Sequence, residues 1–370
     1  MRDEIKKLLS QKAPLKAKEI ARELALDKSQ VNTFLYKNED AFQKDSAHRW
    51  SLAPDPEIVL TLPDDWVDAD DFENLLRQGG ARLENPSQAI RICYPSPQCK
   101  TMIDCAARLL ALANQLAARG NKVTCDLTKA HRTHTYLNRA GFFDLVHDDV
   151  AFLPARPTRS AAKQYQGRSN TLVEFGVVDL ASNEKRLALI SQLTETFVKL
   201  STPAYQVAAF TVFSELIQNV AEHSKSALRG FAGLQSYGGS RPHIKTVVSD
   251  SGVGIAHTLR PALKKHYPHL FEKFGVASLE SDIGIVTEAM KVGGISRFGS
   301  AKGRGLGFTS SREQAMKFSA ELSVRQEEFC LRFQYRDGNL VKIAEQRPVS
   351  KLLGTHICFD FYLPQSPSIS

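Results

Sequence analysis

Apolar residues recur at helical spacing through the first part of this chain, and the rhythm then shifts twice. Arg2–Ser10, Ala17–Leu24 and Gln30–Lys37 are expected helices, with Pro14 marking the break between the first two. Leu26-Asp27-Lys28-Ser29 supplies a turn and an N-cap for the third. Ile20, Leu24, Val31 and Leu35 are the expected core positions, and His48–Leu52 reads as a returning strand. Three helices followed by a strand is the order of a winged helix-turn-helix, here over residues 1–55.

A linker with Pro54, Pro56 and Pro63 follows, and then an acidic stretch, Asp64, Asp65, Asp68, Asp70, Asp71 and Glu73. Without a glycine-bearing calcium loop, that stretch reads as a solvated charged segment. From residue 88 the pattern alternates: strand Ala89–Tyr94, helix Met102–Arg119, strand Lys122–Leu127, helix Thr133–Leu145. Strands separated by helices point to a small α/β domain over 56–160. A third block, 165–370, opens with strand Thr171–Asp179. Helices near 183–199 and 204–224 follow, and strands Phe329–Tyr335 and His356–Leu363 end it, the pattern of an α/β sandwich. The expected fold is a multi-domain α/β protein.

Composition changes this picture little. A chain of 370 residues with 42% hydrophobic and 24% charged residues is an ordinary globular protein of two or three domains. No apolar run is long enough to span a membrane, and the charged N-terminus lacks a signal core, so a cytoplasmic location is expected. The six cysteines show no CxxC pairing and are expected to be reduced and mostly buried. A net charge of +8 permits contact with nucleic acid.

Three segments carry candidate chemistry. In Phe213–Ser224, Glu215, Asn219 and His223 fall four apart on one helix face, beside an apolar face of Phe213, Leu216, Ile217 and Val220. In the second, the strand from Val247 ends in Asp250, followed by Gly252 and Gly254. A carboxylate there can accept a hydrogen bond from an exocyclic amine such as adenine N6, and the glycines admit a flat ring. In the third, Gly299–Phe308 is a glycine-rich loop with Lys302, Gly303, Arg304, Gly305, Leu306 and Gly307, leading into an expected helix Thr309–Phe318. Its backbone N–H groups and cations suit phosphate, although the Walker spacing is absent. Gly354-Thr355 then introduces the last strand.

In this order the segments resemble the N box and the three glycine boxes of the GHKL family of ATP-binding domains, over roughly 170–364. The family includes gyrase-type, mismatch-repair and chaperone ATPases and histidine kinases. The resemblance implies that Asn219 holds Mg²⁺ bridging the phosphates of ATP, that Asp250 reads adenine and that 282–308 forms a mobile lid. Glu215 matches the family's general base for water. Around these, His223, Gly252, Gly254, Lys302–Gly307 and Thr355 would line the nucleotide site. The stretch 183–212 holds no histidine, so a histidine kinase is not expected. A separate transducer domain is not expected to follow Thr355 either.

The middle block, through Lys122–Leu127 and Tyr136–Phe143, resembles a STAS-like domain, which implies a protein partner. The first block resembles winged helices of the Z-alpha kind. There Lys28, Asn32 and Tyr36 fall four apart on the recognition helix, with Trp50 on the returning strand. The resemblance implies nucleic-acid contact by these four residues, the tryptophan supporting the tyrosine. Residues 1–52 carry eleven Lys and Arg against eight acids. The expected function is an ATP-dependent regulatory protein coupling a hydrolysing Mg·ATP switch, with ATP-dependent homodimerisation, to nucleic-acid binding in stress or anti-phage defence. The alternatives are an anti-sigma-type serine/threonine kinase and an ATP sensor without turnover.

Overall fold

A computed structural model describes residues 1–53, 55–291, 295, 319–337 and 339–363. The protein is a mixed α/β protein that divides into two compact units, 1–57 and 58–370.

In the first unit, α1 (Arg2–Lys12), β1 (Leu15–Lys16), α2 (Ala17–Glu23) and α3 (Lys28–Lys37) precede a hairpin of β2 (Phe42–Lys44) and β3 (Arg49–Leu52). The strands form one antiparallel sheet in the order β1-β3-β2. Asp27 caps α3 by accepting a hydrogen bond from Gln30 N at 2.9 Å. Ile5, Ile20, Val31, Leu35, Phe42 and Trp50 fill the core, which Leu24 joins only in part.

The second unit begins with β4 (Ile58–Thr61), β5 (Trp66–Val67), α4 (Ala69–Gly79), β6 (Ala89–Cys93), β7 (Lys100–Thr101) and α5 (Ile103–Ala118). It continues through β8 (Lys122–Asp126), α6 (His131–Ala140), α7 (Phe142–Leu145), β9 (Ala151–Leu153) and α8 (Ala161–Gln164). Strands β4-β6-β8-β9 form a parallel sheet, and β5 pairs with β7. The single helix expected over Thr133–Leu145 is two, because Gly141 takes φ 86° and turns the chain between them.

Then come β10 (Leu172–Val177), α9 (Asn183–Leu200), α10 (Gln206–His223), β11 (Phe231–Tyr237), β12 (His243–Asp250), α11 (Ile255–His266), α12 (Pro268–Phe274) and α13 (Leu279–Lys291). β13 (Ala320–Arg325), β14 (Cys330–Arg336), β15 (Asn339–Gln346) and β16 (Thr355–Tyr362) complete an antiparallel sheet, β10-β11-β12-β16-β13-β14-β15. Side chains alternate across it. Val248, Ile357 and Phe359 meet α9 and α10 in one core, whereas Val247 and Cys358 meet α5 in another.

Helix α5 is the shared element. Ile103 through Ala117 are all buried, and one core joins them to both the parallel and the antiparallel sheet. Alanines at 106, 107, 111, 113 and 117 let the neighbouring layers approach the helix closely. The boundary expected near residue 160 falls inside this compact unit.

The acidic stretch is solvated only at its start, where Asp64 and Asp65 are exposed, and is drawn into structure further on. Asp68 caps α4, accepting from Asp70 N at 2.8 Å and Asp71 N at 3.1 Å, while the Asp71 carboxylate accepts from Asp68 N. Glu73 is 1% exposed and takes Arg108 at 2.9 Å and Arg325 at 3.1 Å. Arg325 also donates to Leu352 O at 2.9 Å, Glu327 O at 3.2 Å and Ser350 O. The two guanidiniums give this buried carboxylate the hydrogen bonds that water would otherwise supply.

Candidate functional site

Helix α10 sets its apolar side, Phe213, Leu216, Ile217 and Val220, into the core against the antiparallel sheet. That fixes the neighbouring face, where Glu215 and Asn219 are half-buried. Asn219 Nδ2 is shut off from solvent with no hydrogen-bond partner among the described residues. The helix ends at His223, whose side chain lies outside what the structure describes, and Ser224 follows it, buried.

The Asp250 loop lies against that end. Val253 N donates to Ser224 O at 3.1 Å. A Cβ at Gly252 would sit 2.0 Å from Ser224 O, so only glycine lets the two backbones come this close. Gly254 takes φ 80° and starts α11. Asp250, at the end of β12, is 6% exposed, and Gly252 N donates to its Oδ1 at 2.7 Å. Burial is the larger influence and pushes its carboxyl up to about 6, against the pull of that hydrogen bond.

Gly354-Thr355 joins from the other side. Thr355 pairs with Asp250 across β12 and β16. Gly354 has φ 95°, and a Cβ on it would lie 2.0 Å from Asp250 O. Three of the sequence segments, far apart along the chain, thus meet around one buried carboxylate.

Neither a protein-family model nor a curated protein matches this chain.

The other expectations fare differently. Lys302, Gly303, Arg304, Gly305, Leu306, Gly307 and the helix Thr309–Phe318 lie outside the described residues. Residues 282–291, expected to open the lid, belong to α13, and 296–308 lie outside the described residues. In α13, Ile283, Ile285, Val286, Ala289 and Met290 are locked in the core. Among the described residues no group of three His, Cys, Asp or Glu side chains is placed to hold a metal, and no helix is long and apolar enough to cross a membrane.

Two glutamines that sequence reasoning missed brace the site. Gln326 Oε1 accepts from Ile255 N at 2.8 Å, and its Nε2 donates to Thr355 Oγ1 at 3.1 Å. Gln115 of α5 reaches Ser251 and Leu353. No local signal marks either residue, since each acts on segments more than twenty residues away.

In the first unit, Lys28, Asn32 and Tyr36 are exposed on α3. Trp50 is 2% exposed and meets the exposed Tyr36 ring edge to face at 5.1 Å. Lys44 Nζ stands 4.5 Å from the Tyr36 ring centre and donates to its hydroxyl. Sequence reasoning did not single out Lys44.

Proposed function

We propose that residues 165–370 form a GHKL-type Mg·ATP site that works as a hydrolysing switch, coupled to nucleic-acid binding by a winged helix over 1–55. One observation carries the reading: α10, the Asp250–Gly254 loop and Gly354-Thr355 converge on a buried carboxylate, and glycine is required at each close approach.

Adenine would give the buried Asp250 carboxylate a second N–H donor beside Gly252 N. Asn219 fits the Mg²⁺ position by its chemistry, because an amide oxygen suits a hard cation and the side chain, its Nδ2 without a partner among the described residues, is not tied by that nitrogen to another orientation. Bound Mg²⁺ would neutralise phosphate charge. Glu215, one turn earlier on the same face, would accept the proton of the attacking water. Lys302–Gly307 would meet the phosphates, and closure would favour a homodimer.

On the first unit, Lys28, Asn32 and Tyr36 offer a cation, an amide and a ring on one surface, the chemistry of a nucleic-acid backbone and base. The middle layer is proposed as STAS-like, with a protein as its partner.

Isothermal calorimetry with ATP, GTP and a non-hydrolysable ATP analogue, with and without Mg²⁺, tests the central reading. Mg²⁺-dependent binding with preference for adenine supports it, and absence of nucleotide binding overturns it. In a turnover assay, phosphate released to solution supports the switch, whereas phosphate on a protein would replace it with the kinase.

A further inference from the structure

We infer that Gln115 is a positioning residue for the adenine end of the site, acting from α5 rather than from the sheet that carries Asp250. The inference takes its ligand from the nucleotide reading above, and its geometry from three hydrogen bonds. Gln115 Nε2 donates to Ser251 Oγ at 2.8 Å and to Leu353 O at 2.9 Å, and Gln115 Oε1 accepts from Leu353 N at 2.9 Å. Both donors of the amide are engaged, and the side chain is 5% exposed, so water does not compete for them.

The partners give these bonds their meaning. Ser251 directly follows Asp250, and Leu353 directly precedes Gly354, which lies so close to Asp250 O that only glycine fits. The β12–β16 ladder holds this crossing from the strand side through Asp250 and Thr355. Gln115 holds it from the opposite side and makes a two-point backbone pairing with Leu353 that imitates a ladder rung. Gln115 therefore tethers the residues on both sides of this crossing and, with Gly252 N on Oδ1, limits the directions in which the Asp250 carboxylate can point.

Direction matters for base selection. Adenine presents an N–H donor where guanine presents a carbonyl oxygen, so a fixed carboxylate accepts from one and repels the other. A loop freed from Gln115 lets the carboxylate turn toward the N1–H and amino donors of guanine. Gln115 thereby sets preference for adenine without touching the nucleotide.

The test compares the full chain with Gln115→Met, which keeps side-chain volume, and with Asn114→Leu as control. Asn114 is the next residue on α5, and its amide bonds Leu145 O at 3.1 Å and His147 N at 2.7 Å, away from the site. Hydrogen exchange is measured without ligand over 249–256 and 350–357, and affinities for Mg·ATP and Mg·GTP are measured by calorimetry. Gln115→Met is expected to speed exchange in both segments about tenfold, as the loss of one to two net hydrogen bonds implies. It is also expected to lower the ATP-over-GTP ratio at least about fivefold, while Asn114→Leu changes neither readout. Unchanged exchange in Gln115→Met, or an equal rise in both variants, overturns the positioning role. Faster exchange with an unchanged ratio overturns the link to base selection. A wild type that binds neither nucleotide removes the ATP reading, and the exchange experiment then decides the positioning role alone. Should Gln115→Met fail to fold, Ser251→Ala removes one of the three bonds and is read in the same way.

Discussion

Replacing Asp250 by asparagine should stabilise the fold while destroying the site. The carboxyl is nearly enclosed, with a single backbone donor, and burial raises its pKa from 3.8 to about 6. At 1.36 kcal/mol for each pKa unit, that rise makes ionising Asp250 in the folded protein cost about 3 kcal/mol. The sign follows from linkage: the folded state holds this proton more tightly than the unfolded chain does. Its stabilising contribution is complete below pH 3.8, declines as pH rises, and is gone above about 6. The asparagine variant would have no such dependence, because its amide does not titrate and its oxygen still accepts from Gly252 N. The melting temperature of Asp250→Asn minus that of wild type should therefore grow between pH 4 and 7.5, by roughly 5 °C for a unit of this size. Differential scanning calorimetry across that range measures it. Parallel curves would refute the argument, since they would mean the carboxylate is not desolvated. At pH 7.5 the same variant should lose ATP affinity, because the amide turns a donor toward adenine N6.

Other outcomes follow from the same geometry. Glu215→Ala should retain ATP affinity yet hydrolyse it about a hundredfold more slowly, read as phosphate release in single turnover; wild-type turnover would dismiss Glu215 as the base. Glu73→Gln leaves Arg108 and Arg325 buried without their carboxylate, so urea unfolding should show a loss of about 3–5 kcal/mol, and an unchanged midpoint would count against the buried triad. Tyr36→Ala should weaken nucleic-acid binding by about 1–3 kcal/mol in anisotropy titrations. Lys28→Ala should lower the salt dependence by about one counterion, and equal binding by both variants and wild type would reassign α3 to another role.

What the sequence made legible was local. The strand into Asp250 and the helix through Glu215 and Asn219 are visible because their apolar periodicity is set by the core they face. The need for glycine at 252 and 354 is also written locally, although the reason, contact with Ser224 and Asp250 backbone, is not. In the acidic residues 64–73 the end of the stretch misled, because composition reports solvation only on average. Glu73 is kept inside by Arg108, and by Arg325 at a separation of 252 residues that no local pattern reveals. Helix α5 looked like one side of a small layer, since an alanine-rich apolar helix gives no sign of how many neighbours it has. Strands β4 and β9 were missed as segments of four and three residues near prolines, too short for alternation to stand out.

The burial of α5 on all sides has a thermodynamic consequence. A helix without a solvent face cannot stay with one sheet while the other melts, so the four-stranded and seven-stranded sheets should unfold in a single cooperative transition. Ligand present at a hundredfold excess over its Kd adds about 2.7 kcal/mol to such a transition. Nucleotide held at Asp250 would then make β9 harder for a protease to cut, although the ligand touches nothing in that sheet.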